Sequence, residues 1–188
     1  ANMQKRHWLA LSALGLFQFA HLAGVRVAPI VANLDKTAIS ARAQTYDALI
    51  ERDTFGVPHI SGPRDADVAF GLGYAHSEDD FATIVDAIVT TRGRAAAVGD
   101  YLVRLLRVWE TVDAGYETQI TPAARAVMQA YADGVNLYAA QNPRKVPAGI
   151  FPISGRDVSA GTIFRSPFFY GLDQVFKNIT DKNAQPAV

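Results

Sequence analysis

No cysteine occurs anywhere in the 188 residues, which excludes disulfide bonds, thiolate catalysis and cysteine-bound zinc. Histidine is scarce as well: His7, His21, His59 and His76 are the whole supply of imidazole bases. Neither sign of charge is in excess, with 18 Lys+Arg against 18 Asp+Glu. The chain therefore lacks the basic surplus that neutralises phosphate backbones or anionic lipid, and nucleic acid is not an expected partner. Internal repeats and low-complexity tracts are also missing. What remains is an ordinary globular balance, 49% hydrophobic and 19% charged, at a length that suits one domain.

The first 43 residues read as an export leader. Lys5-Arg6-His7 precede an apolar stretch from Trp8 to about Val25, interrupted only by Ser12, Gln18 and His21, the order of a charged segment followed by a hydrophobic one. Ala41-Arg42-Ala43 offers a small-x-small cleavage site before Gln44. Two other readings compete, a membrane anchor and a buried amphipathic helix. Cleavage leaves a domain over 44–180, exported to the periplasm and not stably inserted in a membrane, and a polar, patternless processed end over 181–188.

Beyond the leader, Tyr46–Asp53 and Thr54–Ile60 read as two short strands around a turn at Gly56, with Pro58 confining the second to an edge or a strand start. A helical stretch runs from Arg64 to about Leu72, and Gly71-Leu72-Gly73 marks a bend or a close helix contact. Between Ser77 and Arg92, Phe81, Ile84, Val85, Ile88 and Val89 form an amphipathic stripe. Glu78, Asp79 and Asp80 fall in its first turn, where they complement the helix dipole. Thr121-Pro122 opens another helix, which buries Val127, Met128, Tyr131, Val135 and Tyr138 and stops at Asn142-Pro143. A last helix starts near Ser154, where Asp157 completes a variant capping box, with Pro167 as a candidate break. The result is a mostly helical chain with one strand pair. Two short strands make no independently stable sheet, so another chain is expected to complete the fold.

Side chains able to carry chemistry are few. His59, which follows a Pro on an expected strand, and His76, one residue before a helix cap, each read as a hydrogen-bonded structural histidine ahead of a catalytic base. The consecutive acids Glu78-Asp79-Asp80 project around a helix and do not converge on a cation. Gly71-x-Gly73 lacks the third glycine and the preceding strand of a dinucleotide loop. Asn178-Ile179-Thr180 fits a glycosylation acceptor, a pattern too short to carry weight. Phe168-Phe169-Tyr170 is a dense aromatic cluster that serves either as core or as the wall of a ligand pocket.

Two blocks carry a resemblance. Ile50-Glu51-Arg52-Asp53-Thr54-Phe55-Gly56-Val57-Pro58-His59-Ile60 resembles the start of the small subunit of the penicillin acylase family of N-terminal-nucleophile hydrolases. Phe70-Gly71-Leu72-Gly73-Tyr74-Ala75-His76-Ser77-Glu78-Asp79-Asp80 follows at the family's distance, then Thr91-Arg92-Gly93-Arg94 and Gly99 in its order. The run Ala87–Gly93 is most similar to the branch of acyl-homoserine-lactone and aculeacin acylases.

The resemblance implies an α+β fold: a mostly helical α subunit that completes an αββα sandwich with a larger β subunit cut from the same precursor. It implies that the nucleophile is the N-terminal Ser of the β subunit, acting with its own amino group as base and with backbone and Asn donors for the oxyanion. No block like the β start occurs before Val188, so this chain is expected to hold no catalytic residue. Its share is to shape the acyl pocket, with Ser166, Phe169 and Tyr170 as the expected substrate contacts. No cofactor is expected. Some relatives hold calcium with an acid from this region, where only Asp173 is nearby; calcium stays open, and no metal ligand is assigned. The expected substrate is an N-acyl-homoserine lactone or a related long-chain acyl amide. Alternatives are β-lactam side chains, for which Arg165 is the candidate partner of a distal carboxylate, and a non-enzymatic exported adaptor.

Overall fold

The computed structural model describes Lys5–Arg6, Val25–Arg26, 45–95 and 97–181. The leader's apolar stretch up to Val25, its cleavage site and most of the C-terminal end lie outside the described residues. Strands β1 (Lys5–Arg6) and β2 (Val25–Arg26) both pair antiparallel with β3 (Asp47–Arg52), which also pairs with β4 (Pro58–Ser61) in the register Leu49↔Ser61, Ile50↔Ile60, Glu51↔His59. The two-residue strands add to the single pair expected from sequence. At the hairpin tip Gly56 takes φ +86°, a conformation that favours glycine. The Asp53 carboxylate accepts the Phe55 and Val57 amides, both at 2.9 Å.

One face of β3 carries Ala48, Ile50 and Arg52, all buried. Against it lies α1 (Asp65–Thr91), which packs close because a side chain at Gly71 would collide with Ile60 and Ala48. The helix does not bend at Gly71–Gly73. It breaks at Asp80, with φ −150° and ψ 63°, and the Asp80 carboxylate accepts the Thr83 amide at 3.2 Å, capping the second segment. Glu78 and Asp79 therefore sit at the end of the first segment, and their work is to neutralise the buried Arg52 guanidinium at 3.1 and 2.8 Å, which also donates to the Gly56 carbonyl.

The central element is α4 (Pro122–Gln141), capped by the Thr121 hydroxyl as Thr121-Pro122 indicates. From Ala132 to Ala140 every residue is buried, so the C-terminal half of α4 is covered on all sides. It crosses α1 at two glycines: a Cβ on Gly73 would overlap the Tyr131 carbonyl, and one on Gly134 the Phe70 carbonyl. Around this crossing Phe70, Tyr74, Phe81, Leu137, Tyr138 and Phe151 form the main core, with Tyr46 stacked on Phe70 at 4.6 Å. The helices α2 (Ala97–Leu105) and α3 (Val108–Gly115) have no counterpart among the elements expected from sequence. Val103, Val108, Val112 and Tyr116 from them and the adjoining turn make a second core with Ala160 of α5 (Gly155–Phe169). Pro167 does not interrupt α5, because it falls in the last turn, where its missing amide removes a single bond. A left-handed Gly171 leads into α6 (Leu172–Thr180), which packs against α5.

Replacing Gly134 with Ala should cost about 1–3 kcal/mol or more by forcing α1 and α4 apart, read as a lowered midpoint in chemical denaturation. A second expectation concerns Asp67, whose buried carboxylate takes hydrogen bonds from the Arg64 side chain and from the Arg64 and Asp47 amides. The Arg64 guanidinium holds it below the usual carboxylate range, against the opposing effect of burial. A depressed folded pKa stabilises above the unfolded value, about 4, and the contribution fades as pH falls through the folded pKa. Stability measured from pH 6 down to 2 should therefore fall less steeply in Asp67→Asn than in the natural chain, the variant starting lower at pH 6.

Candidate functional site

Helix α5 is the element from which the expected substrate contacts project, and its start is fixed from several directions. The Asp157 carboxylate accepts the Ser154 amide and hydroxyl at 2.8 and 2.9 Å, the reciprocal half of a capping box. Its other oxygen takes Arg92 Nε at 2.7 Å, and Arg92 Nη1 donates to the Ile150 carbonyl at 2.6 Å. The Asn136 side chain closes two bonds on Ile153, both 2.8 Å, and Gln129 Oε1 accepts the Gly155 amide. Buried polar groups satisfied in this way set the position of a helix to within the tolerance of hydrogen bonds, which sliding apolar contacts do not.

From this anchored start α5 presents a stripe, Val158, Gly161, Thr162 and Arg165, along a cleft of about 320 Å³ shared with α1 and with Tyr131 of α4. Ile84, Ala87, Ile88 and Ile153 give the cleft an apolar floor. His76 and Tyr131 stand at it with Nδ1 and the phenol oxygen 2.7 Å apart. Burial pushes the Tyr131 phenol up and the Arg165 charge opposes it. Arg165 makes no ion pair among the described residues. A second cleft, about 580 Å³, lies beside the α1 break, where Glu78, Asp79, Asp80 and Asp86 line it along with Tyr138 and Lys145.

Ser166, Phe169 and Tyr170 lie in the last turn of α5 and at its cap, and they line neither cleft. Ser166 donates to the Thr162 carbonyl at 2.7 Å, which satisfies its hydroxyl within the helix. Phe169 and Tyr170 are 86% and 85% exposed, their rings edge to face at 5.5 Å. Phe169 continues the cleft stripe four residues beyond Arg165, so the cleft and the aromatic end share one side of α5. Phe168 instead turns onto Phe164 at 5.5 Å, against the second core.

His59 is exposed, 3.4 Å from Asp53, and His76 pairs with Tyr131. Both described histidines thus pair with groups other than a Ser or Thr hydroxyl, and among the described residues neither forms a nucleophile–base couple with a Ser or Thr. Asp173 sits in the first turn of α6; among the described residues no group of three or more His, Asp or Glu side chains is placed to hold a metal ion. Sequence reasoning missed the Arg52 and Arg92 ion pairs. The available signal was an arginine in phase with Ala48 and Ile50 on a buried strand face, which requires an acid from elsewhere in the chain.

The family model described as penicillin amidase matches residues 47–167. Acyl-homoserine lactone acylase PvdQ of Pseudomonas fluorescens (strain Pf0-1) is 31% identical over 125 residues, covering 58% of this chain and 16% of that protein. Aculeacin-A acylase of Actinoplanes utahensis is 42% identical over 48 residues, 26% of this chain and 6% of that protein. The chain therefore spans about a sixth of the length of its PvdQ relative. A solved structure of thermostable penicillin G acylase from Alcaligenes faecalis matches with a TM-score of 0.51 at 18% identity, over 71% of this chain and 81% of that chain, and so shares its fold. With the β3–β4 hairpin, the α1–α4 crossing and nearly all of α5 inside the matched span, the chain belongs to the penicillin amidase family.

Proposed function

We propose that this chain is the small subunit of a heterodimeric amide hydrolase that releases an acyl chain from an N-acyl-homoserine lactone or a related long-chain acyl amide. The attacking group is the N-terminal Ser of a larger chain cut from the same precursor, and the leader over 1–43 directs that precursor to the periplasm. The observation that carries this reading is the family match over 47–167, joined to a fold match that covers 81% of the matched penicillin G acylase chain.

The surface supports it. Phe169, Tyr170, Val175 and Ile179 are all exposed along the end of α5 and on α6, an apolar face that a larger partner would bury. The two described histidines are engaged elsewhere, which fits a chain that shapes a site without reacting in it. The exposed Phe169 and Tyr170, together with Ser166, are the proposed acyl contacts, acting through contact area and excluded volume.

Intact masses of the protein purified from its own export route, measured under denaturing conditions, should show a larger companion whose N-terminal residue is Ser. This chain found alone and stably folded would return the adaptor reading. In the assembled enzyme, Tyr170→Ala should shift the preferred acyl length, changing relative kcat/KM values by about tenfold between short and long chains, while burst labelling of the Ser remains. An unchanged length profile removes Tyr170 from the pocket, and preference for β-lactam side chains over alkyl amides returns the penicillin or cephalosporin acylase reading.

A further inference from the structure

The cleft between α1 and α5 has the makings of a ligand site. Its floor is apolar, it is concave, and at about 320 Å³ it lies at the small end of the range that small-molecule sites occupy. Polar groups stand along it and belong to three different helices: His76 from α1, Tyr131 from α4 and Arg165 from α5. Among the described residues that line the cleft the one carboxylate, Asp157, is already engaged by Arg92 and Ser154. Arg165 is exposed and makes no ion pair among the described residues, and its positive charge acts on the Tyr131 phenol beside it. That charge attracts an anionic ligand and repels a cationic one.

We propose that this cleft binds a monocarboxylic acid with an apolar tail, its carboxylate held by the Arg165 guanidinium and the Tyr131 hydroxyl and its tail lying over Ile84, Ile88 and Val158. An acyl amide hydrolase releases an acid of this class, so naming the ligand as the reaction's own product rests on the function proposed above. The chemistry of the cleft does not depend on it. Gly161 offers a clean way to close the site, because a Cβ built there meets nothing within 4 Å and replacing a helical glycine favours the helix.

The test uses octanoate as the probe and octanol as its uncharged counterpart, with affinities measured by ligand-observed NMR on the protein together with whatever chain accompanies it, after a sulfonyl fluoride has blocked the N-terminal Ser of that chain and filled the acyl pocket beside it. Octanoate should bind saturably. Arg165→Gln should weaken octanoate about tenfold or more and leave octanol unchanged. Gly161→Leu should abolish binding of both while the melting temperature stays the same or rises. Octanoate held equally well by the natural protein and by Gly161→Leu would overturn the proposal, as would an equal loss of octanoate and octanol in Arg165→Gln or no saturable binding at all. A protein that hydrolyses no acyl amide yet shows the expected binding pattern would overturn the hydrolase reading and leave the cleft assignment standing.

Discussion

Helix α1 meets helix α4 backbone to backbone, and most of the structure depends on that contact. At Gly73 and Gly134 the carbonyl of one helix occupies the space a side chain would fill on the other, so the axes approach more closely than side-chain packing permits. Phe70 and Leu137, both without exposed surface, are then enclosed completely, each adding about 2–3 kcal/mol through burial. The hairpin is held to the same assembly by Gly71, and the start of α5 by Gln129 and Asn136 of α4. Even a small separation of α1 from α4 would open the main core and release the anchors of α5 together.

Charged groups complete what the crossing begins. Arg52, Asp67 and Asp157 are buried, and each is answered by partners far enough along the chain, or numerous enough, to fix a junction: hairpin to α1, strand start to α1, and the α1 end to α5. A buried ion pair adds little net stability against an apolar replacement, but removing one partner leaves a costly unpaired charge. These pairs therefore specify arrangement more than they stabilise it. Their effect is to deliver α5 as a rigid wall, apolar toward the cleft, cationic at Arg165 and aromatic at its end.

Legibility from sequence tracked the range of the forces involved. The hairpin, the caps at Thr121 and Ser154 and the stripe from Phe81 to Val89 depend on neighbours within a few residues, and all are found where the pattern puts them. The break in α1 was misplaced because glycine suggests a bend, whereas Gly71 and Gly73 serve close approach and Asp80 takes the irregular conformation while capping the second segment of the helix. The acids Glu78 and Asp79 read as dipole partners because their true partner, Arg52, lies 26 residues away from the nearer one. Helices α2 and α3 carried no clear signal: the exposed Val98, Tyr101 and Leu105 blur the contrast between an inner and an outer face.

The amino-acid sequence by itself determined the family, through two spaced blocks whose residues now stand on the hairpin and on α1, and it determined the helical character and the lack of a thiol. Those are matters of residue type and short spacing. Only the tertiary structure decided that the glycines mark a helix crossing, that Ser166 satisfies its own helix while Phe169 and Tyr170 face solvent, and that His76, Tyr131 and Arg165 gather along one apolar cleft. Such groupings join residues tens of positions apart, and their geometry is set by how α1, α4 and α5 pack, which no local pattern encodes.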